Sequence, residues 1–246
     1  MNYFQHIFFL ISLSVVSLMV FAFLRILDFA KAKPKQKIIF IRVGLGMIML
    51  ALFIFILSRL YPTHMLEITL STQFINQKIL PNPSAMVFKH QISWSFYIIC
   101  IYGVGLCIML FRILLGYFSA KKQLRSCNQI VIQGQPVFIN KYIQSPLSFG
   151  LPKSKIYFPL DAEIKWTARE IQMILAHENI HVERNDSLWK LLSLIVQAVL
   201  FFAPWMYYLH RRFELEMEIF CDLKTCNKTG ADIQEYGNFL IDELSR

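Results

Sequence analysis

The sequence predicts a mainly α protein: a polytopic helical membrane protein with a small α+β domain attached. Three observations carry that expectation. Of 246 residues, 56% are hydrophobic, and much of that content lies in three uninterrupted runs. A stretch of β-branched and aromatic triplets follows them. Next comes a sharply capped helix carrying two histidines four residues apart.

The apolar runs cover approximately residues 3–27, 38–60 and 92–118, each long enough to cross about 30 Å of hydrocarbon. The first lacks a basic leading segment and a small-residue cleavage site, so it reads as a retained span rather than a signal peptide. Gly44, Gly46, Gly103 and Gly105 fall inside the second and third runs, where they permit close helix contact. Arg25, Arg42 and Arg112 lie near span ends and can snorkel, so no ion pathway, and hence no transporter, is evident.

The formal net charge is +9, but its distribution argues against nucleic acid. Lys31, Lys33, Lys35 and Lys37 sit between the first two runs, and Lys121, Lys122 and Arg125 follow the third. By the positive-inside rule both segments are cytoplasmic, and the sparsely charged 61–91 loop faces outward. This predicts an outside N-terminus, with everything after the third run starting in the cytoplasm. No helix-turn-helix or basic–aromatic alternation indicates direct nucleic-acid binding; the basic excess is topological and suits anionic lipid. The five cysteines form no disulfide framework, since three of them fall on the reducing side. Residues 1–120 are therefore read as a transmembrane region and 121–246 as a cytoplasmic, membrane-associated domain.

Between Gln129 and Pro159, the triplets Ile130-Val131-Ile132, Val137-Phe138-Ile139 and Ile156-Tyr157-Phe158 are separated by Gly134, Pro136 and Pro152. They read as a small sheet. Thr167-Ala168-Arg169-Glu170 then forms a capping box, flanked by Trp166 and Ile171 at the staple positions. Ile171, Ile174 and Leu175 set a helical stripe leading into His177-Glu178-Asn179-Ile180-His181. Residues four apart share a helix face, so both imidazoles can turn toward one ion. Glu178, beside the first of them, can reach a water held there without binding the metal, as a general base for peptide hydrolysis must. The bland alternative is a surface helix with two histidines on it.

A catalytic zinc takes three protein ligands and leaves a position open. Downstream, Glu214, Glu216 and Glu218 precede Cys221-Asp222. Glu218 is a candidate third ligand and Glu214 its rival, while Glu216 points elsewhere and is expected to be solvated. Asp222, four residues after Glu218, can accept an N–H from a liganding histidine and fix its tautomer. Cys221 reads as small-hydrophobe packing. Between the two halves of this site lies a fourth apolar run, about residues 188–209. If it crossed the bilayer, Glu218 and the histidines would sit on opposite faces, which no single ion allows. Pro204 breaks or restarts the helix, and a helix from 187 to 203 spans only roughly 25 Å. A helical hairpin over 187–224 is expected, dipping against the membrane and returning Glu218 to the histidines.

Taken together, these pieces resemble the BlaR/MecR-type antirepressor zinc metallopeptidases of bacterial membranes. The resemblance rests on Ser145-Pro146 with Phe149-Gly150, on Lys155-Ile156-Tyr157 with Pro159, and on His177-Glu178-x-x-His181-x-x-Arg184-x-Asp186. A Phe202-Ala203-Pro204 turn and Glu218-Ile219-Phe220-Cys221-Asp222 complete it. Ser154 and Ala203 stand where the family often has Pro and Asn. The resemblance implies a zincin-like gluzincin domain with one Zn2+ per chain on His177, His181 and Glu218, and Glu178 as catalytic base. Asp222 would stand behind the ligands, with Arg184 and Asp186 as structural support at the end of the metal helix. It further implies a membrane-embedded endopeptidase acting in signal transduction on a protein substrate, a transcriptional repressor or itself, at the bacterial cytoplasmic membrane. Well-studied members continue into an extracellular sensor domain. This sequence ends at Arg246, so β-lactam sensing is not carried over, and a homodimer or a separate sensor partner is the expected alternative. Tyr207, Tyr208 and His210 are candidate oxyanion donors. The competing expectation is a non-catalytic membrane scaffold that keeps the same fold.

Overall fold

The computed structural model describes residues 2–60, 94–125 and 127–245. The 61–91 loop expected to face outward lies outside them. Three helices are long and apolar enough to cross a membrane: α1 (Asn2–Phe29), α2 (Pro34–Leu60) and α3 (Trp94–Gln123). They show no polar face, as spans surrounded by lipid should not. A four-stranded sheet follows, from β1 (Asn128–Ile132), β2 (Gln135–Asn140), β3 (Leu147–Phe149) and β4 (Lys155–Pro159). Then come α4 (Ala162–Lys165), α5 (Ala168–Glu183), α6 (Asp186–Val199), α7 (Pro204–Thr229) and α8 (Ile233–Ser245). The mainly α expectation, with a small α+β part, holds.

β1 and β2 form an antiparallel hairpin through Gln133-Gly134, both in the left-handed region, where glycine carries no steric cost. β4 runs parallel to β2, and β3 pairs antiparallel with β4, giving the order β1-β2-β4-β3. The triplets correctly foretold β1, β2 and β4. They missed β3, three residues long, which forms the sheet edge nearest the metal helix. α5 opens on the expected capping box: Thr167 Oγ1 accepts from the Glu170 amide at 3.3 Å, and the Thr167 amide donates to Glu170 Oε2 at 2.7 Å. The sheet, α5 and α8 share one apolar core around Val137, Phe158, Trp166, Met173, Leu175 and Tyr236.

The second core explains the hairpin. α6 ends at Val199, the chain turns through Leu200–Ala203, and α7 restarts with Pro204 in its first turn, where a missing amide costs nothing. Leu200, Met206, Leu209, Phe213 and Met217 of this hairpin pack directly against Leu24, Ile41 and Leu45 of α1 and α2. The hairpin is thus wedged among the long apolar helices. Gly105 of α3 admits it: a Cβ there would lie 2.5 Å from the Phe201 ring.

Glu216 corrects the sequence reading. It is 1% exposed, not solvated, and meets Lys37 of α2 at 3.2 Å and Arg212 at 2.8 Å. Asp28 of α1 completes the cluster, 2.7 Å from Lys37 and 2.8 Å from Arg212. Three helices therefore share one ion network, and the lysine read as a topological marker is one of its members. Removing one partner leaves the remaining charges buried and uncompensated. Glu216→Ala is expected to destabilise the fold by about 3 kcal/mol, measured as a lowered melting temperature in detergent; an unchanged Tm would show that water or lipid screens the network.

Candidate metal centre

α5 places His177 and His181 one turn apart, with their Nε2 atoms 3.1 Å from each other. The hairpin then brings Glu218, from the middle of α7, to the same point: its Oε2 lies 3.4 Å from Nε2 of each histidine. For metal–ligand bonds of about 2.0–2.1 Å, neighbouring ligands of a tetrahedron stand about 3.3–3.4 Å apart. Two edges of the triangle His177, His181, Glu218 have that length and the third, at 3.1 Å, is slightly shorter, and an N,N,O donor set suits zinc. The residues present therefore fit a metal ion with one further position open.

Each imidazole is held from behind. His181 Nδ1 faces Asp186 Oδ2 at 2.9 Å, and Asp186, only 1% exposed, is bonded in turn by Arg42 of α2 and lies 3.5 Å from Arg184 Nε. With Nδ1–H donating to this carboxylate, the Nε2 lone pair is left for the ligand triangle. His177 Nδ1 lies 3.2 Å from Asp222 Oδ1 and 3.1 Å from the Tyr236 hydroxyl, which donates to the same Asp222 oxygen at 2.9 Å. Lys190 of α6 holds the other oxygen of Glu218 at 3.2 Å. Glu178 is nearly buried and lines the same cavity of about 260 Å³ as the two histidines and Glu218. Among the described residues, no hydrogen-bond partner occupies its carboxylate.

His177, Glu178, His181, Glu218, Asp222, Arg184 and Asp186 are thus gathered around one point, with adjustments of role, while other candidates are not. Asp186 does more than end a helix, since it orients His181. Arg184 stacks its guanidinium 4.1 Å over Phe220 as well as touching Asp186. Glu214, the rival ligand, turns to His210 at 3.7 Å and takes no part. Cys221 is buried, its Sγ 3.5 Å from His181 Nδ1, on the ring edge facing away from the triangle; burial pushes its thiol pKa up. Tyr207, Tyr208 and His210 do not line the metal cavity; His210 bonds Ser193 and Tyr208 packs on Phe21. Sequence reasoning missed Lys190, Tyr236 and Arg42. Nothing local marks them; only the amphipathic pattern of α8 signals that Tyr236 points inward.

Burial works against a charge on either histidine, but the facing carboxylates outweigh it. Asp222 and Glu218 raise His177 to about 9, and Asp186 with its neighbours raises His181 to about 12. Glu218, despite burial, is held well below the usual carboxylate range by the two imidazoles. Without metal, the pair carries protons at pH 7 that an incoming ion must displace. Because both values lie above 7, metal affinity is expected to rise as pH climbs from 6 toward 9. Calorimetry in buffers of different ionisation enthalpy should show at least one proton released per ion at pH 7; no release would mean that the imidazoles are already neutral.

Comparison with known proteins follows the same lines. The BlaR1 peptidase M56 family matches this sequence over residues 7–245. Regulatory protein BlaR1 of Bacillus licheniformis is 30% identical over 115 residues, covering 46% of this chain and 18% of that protein. The methicillin resistance mecR1 protein of Staphylococcus aureus is 30% identical over 89 residues, covering 35% of this chain and 15% of that protein. The aligned stretches span less than a fifth of the length of these relatives.

Proposed function

Because this chain belongs to the BlaR1 peptidase M56 family, a family of membrane regulatory metallopeptidases, we propose that it is a zinc endopeptidase. It cuts a cytoplasmic or membrane-proximal protein, a transcriptional repressor or a segment of itself. The observation that carries this reading is the convergence of His177 Nε2, His181 Nε2 and Glu218 Oε2 within 4.8 Å, with the Glu178 carboxylate, unpartnered among the described residues, lining the same cavity.

In this reading His177, His181 and Glu218 hold one zinc per chain. The ion, when bound, polarises the scissile carbonyl and makes an attacking water acidic enough to react near neutral pH. The chain's own groups do the rest. Glu178 takes the proton from the attacking water and returns it to the departing amine nitrogen. Asp186 and Asp222, the latter with Tyr236, fix the tautomers and planes of the two histidines. Lys190 occupies the Glu218 oxygen turned away from the triangle. The free edge of β3 offers main-chain groups for an extended substrate. By the distribution of lysines, the N-terminus lies outside and the metal centre in the cytoplasm.

The test is purified protein in detergent or nanodiscs, assayed for zinc by elemental analysis and for cleavage of a peptide library and of itself. About one zinc per chain is expected, with cleavage stopped by a chelator and restored by added zinc. Protein that binds zinc but cuts neither substrate nor itself would favour the scaffold reading. Protein that binds no metal would remove the enzyme reading altogether.

A further inference from the structure

A cavity of about 520 Å³ adjoins the metal site. It shares Ser148, Ser187 and Lys190 with the metal cavity. On the far side of the histidines a third cavity, about 180 Å³, reaches Ser145, Pro146 and Glu243. The three follow one line: residues 145–146, then 146–148, then 148–151 of the chain form successive parts of their walls. That line is β3 with its flanks. β3 pairs on one side with β4 and among the described strands has no partner on the other. A cleft thus runs along an unpaired strand edge with the metal centre at its middle.

The large end of this cleft is built in part by α3. Met109, Ile113 and Tyr117 of α3 face Leu191, Leu194 and Ala198 of α6 across it. Arg112 and Lys190 are the charged groups among its lining residues; Lys190 is paired with Glu218 at 3.2 Å, whereas Arg112 has no acidic partner among the described residues. Gln197 adds a side-chain oxygen that is buried without a hydrogen-bond partner. Gly116 lies on the α3 wall, where a Cβ would meet nothing within 4 Å.

We propose that this cavity is the specificity pocket of the site. It receives bulky apolar side chains on one side of the scissile bond, from a substrate segment extended along β3 and carrying an acidic group within reach of Arg112. The proposal rests on the endopeptidase reading and deepens it. An extended peptide sends alternate side chains to one face at about 3.3 Å per residue, so the backbone of residues 148–151 can present two such side chains to the same space. Continuity with the metal cavity and the strand-edge wall favour a peptide over a lipid chain. With Lys190 already paired to Glu218, the charge of Arg112 favours an acidic peptide over a neutral one. Since α3 is long and apolar enough to cross a membrane, the substrate class is an apolar, acid-flanked segment presented close to the bilayer.

Binding is measured so that the answer does not depend on turnover. Zinc-loaded Glu178→Gln protein in detergent is titrated with fluorescein-labelled decapeptides carrying a single Leu, Phe, Ala or Asp at each position. At one position or an alternate pair, Leu or Phe is expected to bind at least tenfold tighter than Ala, within the range that apolar pockets discriminate. Adding Gly116→Trp fills the pocket and should bring the Leu/Ala ratio to within threefold, with zinc content as the folding control. Gly116→Leu is the milder variant if the first does not fold. Arg112→Gln should remove the gain from a neighbouring Asp. A Leu/Ala ratio that ignores both Gly116 variants overturns the proposal. So does a loss of co-purifying phospholipid in those variants without any change in peptide ratio, which would make the cavity an acyl-chain site. If peptides bind in a Gly116-dependent way but the wild type never cuts them, the pocket stands and the endopeptidase reading falls.

Discussion

Glu178→Gln is expected to abolish peptide hydrolysis while leaving zinc content unchanged. Glutamine keeps the shape of the side chain but cannot accept a proton from water. General acid–base assistance supplies roughly 10²–10⁴-fold of rate, so kcat should fall by at least that range. The metal ligands should be untouched, because Glu178 lines the metal cavity without belonging to the ligand triangle. Zinc by elemental analysis and turnover of a cleavable peptide, measured on the same preparation, separate the two effects. Residual cleavage near the wild-type rate would show that another group is the base. If the chain is instead a scaffold, the substitution should be silent in cells.

The second large effect belongs to Glu218→Ala. Losing a group that only orients a ligand costs about 10–100-fold in metal affinity; losing a ligand should cost more. The variant also leaves Lys190 facing the histidines, since its 3.2 Å partner is gone, and a cation there opposes the ion further. Zinc is expected to be absent or readily stripped, with proteolysis lost in parallel. Glu214→Ala is the control. Glu214 lies four residues earlier on the same helix, but it pairs with His210 away from the triangle, so that variant should retain full zinc. If Glu214→Ala loses the metal and Glu218→Ala keeps it, the third ligand has been misassigned.

What the sequence disclosed about this site is what helical periodicity can disclose. His177 with His181, Glu218 with Asp222, and Thr167 with Glu170 are each three or four positions apart, so a helix alone brings them together. Pro204 marked the reversal because its ring acts on its own backbone. The partners that stayed hidden are joined only by tertiary packing. Arg42 reaches Asp186 across 144 positions, Tyr236 reaches His177 across 59, and Lys190 reaches Glu218 across 28. Glu216 was misjudged for the same reason: on α7 alone it looks like one more acid in an acidic run, and only the packing of α7 onto α2 buries it. β3 was too short, at three residues, for alternation to show.

The split of the ligands between α5 and the return arm of the hairpin also imposes an order in time. His177 leaves the ribosome 41 residues before Glu218 (218 − 177); at about 5–20 residues per second that is a delay of roughly 2–8 s. During it the apolar arm of α6 must be buried and the chain turned at Pro204. Lys37 waits longer still, 179 positions, for Glu216. A nascent chain halted before residue 218 carries both histidines and has no competent place for the ion. If the site holds zinc as proposed, metal loading is a late event in the biogenesis of this molecule, after the hairpin has been seated among the long apolar helices, and the proposed cleavage has to wait for it.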